Sequence, residues 1–235
     1  MSDQGREEIG TSLTRVRERI ARAAERGGRS GGDVLLVAVS KTMTVERIRA
    51  AVAAGVPALG ENRVQEAREK IAAIGRPVPW HLIGSLQTNK VKDALALFDL
   101  IHSIDRLELA RACDRRAREG GRVVDVLLEV NVAGEASKGG FGPGDVAGAL
   151  ETVAKLDHLR VQGLMAIPPA VERAEDARGW FRELRGLAER HGLKELSMGM
   201  SADFEVAIEE GATMVRVGTA IFGARPARPG PGGGA

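Results

Sequence analysis

Eight short apolar stretches alternate with segments of helical period along this chain, and no other feature narrows its fold as far. The apolar stretches lie at 34–39, 56–60, 80–84, 98–102, 123–131, 160–165, 195–198 and 213–217. Helical stretches fill the intervals at 45–54, 61–74, 86–97, 106–119, 144–156, 173–191 and 202–210. Leu35-Leu-Val-Ala-Val39 is a continuous apolar run, the pattern of a parallel strand buried on both faces. Eight β/α units in about 200 residues predict an α/β protein, a (β/α)8 TIM barrel, over an open doubly wound sheet. The open sheet would want G-x-G-x-x-G after its first strand, where this chain reads Ser40-Lys41-Thr42-Met43. Upstream, Ile9, Leu13, Val16 and Ile20 are spaced for one helical face, predicting an extra amino-terminal helix over 6–26 that GGRSGGD at 27–33 ends. A single barrel domain is expected over 1–224. RPARPGPGGGA at 225–235, with three Pro and four Gly, is expected to be a disordered tail.

The charge balance narrows function by exclusion. Lys and Arg number 34 against 32 Asp and Glu, so the bulk charge gives no nucleic-acid footprint. No run of about 18 apolar residues exists and the first residues are charged throughout, which predicts a soluble, cytoplasmic chain without a membrane partner. The single cysteine, Cys113, excludes an intrachain disulfide and a Cys-rich zinc site, and no metal is expected. There is no tyrosine.

Polar residues gather at the predicted carboxyl ends of the strands: Lys41, Glu61-Asn62, His81 with Gly84-Ser85, His102-Ser103, Asn131, Met165, Ser197 to Ser201, and Arg216 to Thr219. In a barrel these ends converge on one face, where active sites are built. Solvent-facing strand ends are polar for a blander reason, which explains single residues better than the whole set. Lys41 follows the first strand with only Ser40 between, so its amine is expected at the barrel mouth in partly apolar surroundings. Burial and nearby cations favour a neutral amine, the nucleophile that condenses with an aldehyde; a lone strand-end lysine is otherwise a solvated surface residue. After strands seven and eight, Ser197-Met-Gly-Met-Ser201 and Arg216-Val-Gly218-Thr219 combine glycines with hydroxyls, as a phosphate cup does, although tight turns use glycine too. Amine and cup together suit an aldehyde that carries a phosphate, pyridoxal 5'-phosphate (PLP). Arg216 shares a strand face with Gly218, where it would keep a pyridine nitrogen unprotonated; a salt bridge to Glu205 or Glu209 is the alternative.

Several motifs carry a resemblance. Val39-Ser-Lys41-Thr, Gly60-Glu-Asn62 with Val64-Gln-Glu66, Trp80-His-Leu-Ile-Gly84-Ser-Leu-Gln87-Thr-Asn-Lys90, Gly163-Leu-Met165-Ala-Ile-Pro168, Leu196-Ser-Met-Gly-Met-Ser201 and Val215-Arg-Val-Gly-Thr-Ala-Ile-Phe-Gly223 resemble the pyridoxal-phosphate homeostasis proteins, also called proline synthase co-transcribed homologues, from about residue 10 to 224. The resemblance implies a monomeric barrel like the alanine racemase amino-terminal domain, with PLP as a Schiff base on Lys41. By position, Ser201, Gly218 and Thr219 would hold the phosphate, Arg216 would approach the pyridine nitrogen, and Asn62, His81, Met165, Ser197 and Met198 would line the ring. Lys138 matches a second family lysine, on the loop after strand five, with a role in capture and transfer of the cofactor; a solvated loop lysine is the alternative. Arg63 stands where many members carry an aromatic residue.

Two functions of different class follow. One is PLP homeostasis without robust catalysis: storage, buffering and delivery to apo-enzymes. The other is a PLP-dependent amino-acid racemase. Related racemases add a carboxy-terminal β-domain and take a second proton-transfer base from a partner's tyrosine, and this sequence supplies neither, which favours the carrier. Cys113 lies at i+4 from Leu109 and reads as a packed apolar residue. A cofactor-free Schiff-base aldolase shares only the Lys41 chemistry.

Overall fold

A computed structural model of the chain describes residues 2–223; the tail expected at 225–235 lies outside the described residues. The strands are β1 (Leu35–Val39), β2 (Ala58–Glu61), β3 (Trp80–Leu82), β4 (Leu100–Ile104), β5 (Val124–Glu129), β6 (Leu159–Met165), β7 (Glu195–Met200) and β8 (Met214–Val217). They pair in chain order, all parallel, and β8 returns to β1 to close the barrel. The closing pair sets Leu35 against Met214 and Val37 against Arg216. The helices are α1 (Asp3–Arg26), α2 (Val45–Ala53), α3 (Val64–Ile74), α4 (Val91–Leu97), α5 (Leu107–Glu119), α6 (Val146–Val153), α7 (Arg178–Arg190), α8 (Phe204–Glu209) and α9 (Thr219–Phe222). The (β/α)8 barrel and the preceding helix are as the alternation predicts.

Several element limits differ, for local reasons. Val56 and Phe98 are buried, but as turn and cap residues that lead into β2 and β4. Glu61 belongs to β2, so the helix expected at 61–74 begins at Val64. Leu86 is buried inside a loop, and a 3-10 turn at Thr88–Lys90 delays α4 to Val91.

The alternation of side chains along each strand divides the apolar residues into two layers. Leu36 and Ala38 of β1, Leu59 of β2, Ile101 of β4 and Val215 and Val217 of β8 face the helices and belong to the large outer core. Val37, Val39, Ala58 and Ile83 form one interior cluster; Leu100, Leu127, Met165 and Met214 form another. Strands buried on both faces must be apolar on both, which is why the sequence shows runs and not alternation.

Ser2 caps α1 by accepting a hydrogen bond from the Gly5 N–H, and Ile9, Leu13, Val16 and Ile20 form its buried stripe. The helix packs against α2, α8 and α9, and Arg19 lies over the Phe204 ring while pairing with Glu205. Leu13 is 1% exposed. Leu13→Ala should therefore cost about 2–5 kcal/mol in urea unfolding, whereas Arg15→Ala on the exposed face should stay within about 0.5 kcal/mol.

Candidate functional site

At the carboxyl mouth of the barrel a cavity of about 250 Å³ opens beside β1, β2 and β8. Val39, Ile83, Ile167 and Met200 give it apolar walls. Its polar lining comprises Lys41, Asn62, Ser201, Arg216 and Thr219, with the backbone of Gly218. Six of the residues singled out in the sequence thus meet, although 160 residues separate Lys41 from Ser201. Barrel closure is the reason, because β8 lies beside β1.

Arg216 is 3% exposed. It donates to Ser197 Oγ at 2.6 Å and to the Ala166 carbonyl at 2.9 Å. The alternative of a salt bridge to Glu205 or Glu209 is ruled out, since Glu205 pairs with Arg19 and Glu209 with Arg26 and Arg178. Burial pushes the guanidinium down to about 10, opposed by Asp203 and Glu129, so it stays cationic at neutral pH. These two bonds use two of its five N–H donors, and the residue also lines the cavity. Ser201 Oγ accepts from the N–H groups of Gly218 at 3.2 Å and Ala220 at 3.4 Å, tying the β7 turn to the start of α9. Because that oxygen accepts twice, its own proton is left to donate. Asn62 adds a buried amide oxygen with no partner among the described residues.

Four expected ring-lining residues are not part of the cavity lining. His81 and Ser197 occupy the layer beneath the cavity. Met165 is fully buried with Leu100, Leu127 and Met214 in the barrel interior, and Ile167, two residues on, reaches the cavity in its place. Met198 is a clearer correction: its side chain faces the helices in the outer core, and Met200 lines the mouth. Gly199 explains the exchange. With φ 88° it breaks the strand's alternation where the β7–β8 register shifts, and a Cβ there would press on Phe204 and Ala207 of α8.

Beneath Arg216 runs a buried hydrogen-bonded chain that sequence reasoning only half anticipated. Ser197 Oγ lies 2.8 Å from His102 Nδ1, and His102 Nε2 lies 3.0 Å from His81 Nδ1. Burial drives both imidazoles toward the neutral form, His81 to about 4 and His102 well below its usual range. Arginine only donates, so Ser197 accepts from Arg216. With the serine proton then directed to His102 Nδ1, His102 carries its own proton on Nε2 and donates it to His81 Nδ1, which places the His81 proton on Nε2. His102 carried a signal in the sequence, as a strand-end residue, but no role was attached to it.

Carboxyls complete the mouth. Glu129 at the end of β5 is raised to about 7 by burial and by Asp105, against the pull of Arg216 and Lys138. Lys138 pairs with Glu135 at 2.9 Å and donates to the carbonyl of the cavity residue Ile167 at 3.3 Å, so its loop closes on the rim. Asn131 shapes that loop by bonding both the N–H and the C=O of Glu135.

The closed parallel barrel places the chain in the class of the alanine racemase amino-terminal domain. The family model described as alanine racemase, N-terminal domain, matches residues 11–226. A pyridoxal phosphate homeostasis protein of Aquifex aeolicus is 48% identical over 220 residues, 91% of this chain and 96% of that one. A crystal structure of an unknown protein from Bifidobacterium adolescentis superposes with TM-score 0.90 at 40% identity, covering 94% of this chain and 97% of the other. PipY of Synechococcus elongatus, solved with PLP bound, gives TM-score 0.79 at 37% identity, covering 92% and 100%. The chain belongs to the pyridoxal phosphate homeostasis protein family.

The neutral histidines tie stability to pH. The folded chain holds His81 at about 4; the unfolded chain takes up its proton near the ordinary value of about 6.5. Titration of His81 therefore leaves stability unchanged above about pH 6.5 and lowers it progressively as pH falls toward 4, by on the order of 3 kcal/mol. Urea unfolding at pH 7 and pH 4.5 should show His81→Gln losing less on acidification than the wild type. An unaltered pH dependence in the variant would contradict this account.

Proposed function

We propose that this chain is a PLP carrier, holding the aldehyde as a Schiff base on Lys41 and passing it to apo-enzymes without robust catalysis of its own. The observation that carries the reading is the single cavity shared by Lys41 and the Ser201–Thr219 hydroxyl pair, with Arg216 between apolar walls. The names of the relatives and the PLP held by PipY support the ligand. In this reading Ser201, Gly218 and Thr219 take the phosphate, Arg216 faces the pyridine nitrogen, and Asn62 meets the ring's polar edge. Lys41 would supply the amine for condensation with the aldehyde, a reversible chemistry that releases water and so suits storage as well as capture. A cationic Arg216 disfavours a protonated pyridine nitrogen, which weakens the ring as an electron sink. Lys138 at the rim offers a second amine along the way out.

A racemase needs acid–base groups on both faces of the substrate. The sequence has no tyrosine. Cys113 is fully buried in the outer core, its thiol pushed up to about 12 by burial. These two facts favour the carrier over the enzyme.

Protein loaded with PLP should be yellow, absorbing at about 420 nm as the protonated Schiff base does, and borohydride should fix the added mass on Lys41. A protein that takes up no PLP would overturn the reading, and a colourless one would favour cofactor-free aldolase chemistry. Lys41→Ala should lose the covalent link but keep phosphate-driven binding. Holo protein should activate an apo PLP enzyme; substantial racemisation of alanine or serine would instead favour catalysis.

A further inference from the structure

Behind the turn that presents Lys41 lies an ion cluster that the binding site itself does not use. Lys70 of α3 is 6% exposed. Its ammonium donates to the Ser40 carbonyl, Glu61 Oε1 and Glu66 Oε1, each at 2.6 Å, which occupies all three of its protons. Glu61 also accepts from Ser40 Oγ at 2.7 Å, and Glu66 accepts from the backbone N–H of Thr42 at 2.5 Å. The groups held are therefore the carbonyl just before Lys41 and the N–H just after it.

The turn needs such a hold. Thr42 has φ 66°, the left-handed region that a β-branched residue avoids, and it is the only non-glycine there among the described residues. Its partner Glu66 lies four residues before Lys70 on α3, so the helix presents carboxylate and ammonium as one i,i+4 unit. Buried ion pairs add little net stability compared with apolar residues of similar volume. An apolar side chain at position 70 could fill the space, but it could not grip the two peptide groups.

We propose that Lys70 is a positioning residue for Lys41: acting through Ser40 directly and through Glu66 on Thr42, it fixes the peptide that aims the amine into the cavity. This rests on the Schiff-base reading of the site. Contacts to the phosphate cup come from β7, β8 and α9, so the amine's aim and the anion's grip are set by separate parts of the fold.

The test measures the two separately on the full chain. Pyridoxine 5'-phosphate, which has no aldehyde, reports the cavity and the cup; the rate of 420 nm absorbance growth at saturating PLP reports the amine. Lys70→Met combined with Glu61→Gln removes the buried ammonium without leaving a lone buried carboxylate. Pyridoxine phosphate affinity should stay within about twofold of wild type, while the rate falls on the order of 10- to 100-fold, the scale of a misplaced reacting group. Glu66→Ala, at a partly exposed position, should slow the reaction in the same direction even if the double variant does not fold. Glu66→Gln keeps an acceptor oxygen for Thr42 and should restore most of the rate. Unchanged rates in folded variants overturn the positioning role, and so does a parallel fall of pyridoxine phosphate affinity and rate, which would mean that the cluster shapes the whole mouth. A wild type that never develops the 420 nm species fails at an earlier point, sinking the Schiff-base reading and this inference with it.

Discussion

The pairing of β8 with β1 is the constraint on which the rest of the structure depends. It sets Val37 beside Arg216, so the turn after β1 and the turn after β8 open on the same side of the barrel. Without that closure Lys41 would not share a cavity with the hydroxyls of Ser201 and Thr219, and Arg216 would have no cavity to line. The β7–β8 pair then brings Met200 beside Arg216 and delivers Ser201 to the same corner. Ser201 completes the joint by accepting N–H groups from the start of α9.

Inside the barrel, polarity is graded along the axis. Leu35, Leu100, Leu127, Met165 and Met214 fill part of the interior with apolar packing. Towards the mouth, the chain from Arg216 through Ser197 to the two histidines carries no ionised group except the guanidinium, and every member is buried. Neutral imidazoles can share one cation without like-charge repulsion, which is how a buried arginine is tolerated beside two histidines. The carboxyls of Glu129 and Asp203 lie close enough to favour the guanidinium electrostatically without bonding to it.

Much of this was legible from residue order. Apolar runs gave the strands, and their polar ends gave six cavity residues, because a barrel forces those ends together. Position along a strand was harder to read. Met165 lies one alternation below the mouth, Met198 lies on the helix-facing side, and the bulge at Gly199 that turns Met200 inward leaves only a lone glycine as its sign. Lys70 was hidden for a different reason. A glutamate four residues before a lysine reads as a solvated helix pair, and only the tertiary packing of α3 behind β1 and β2 shows it to be buried. Arg216 was open between two partners until the fold gave Glu205 and Glu209 to other arginines.

The apolar plug within the barrel has one further consequence. A molecule seated at the mouth has a floor beneath it, so arrival and departure share a single doorway, framed by the loops that follow the strands. The Lys138 segment, which leans on Ile167, is part of that frame, while the apolar packing below it lies away from the doorway.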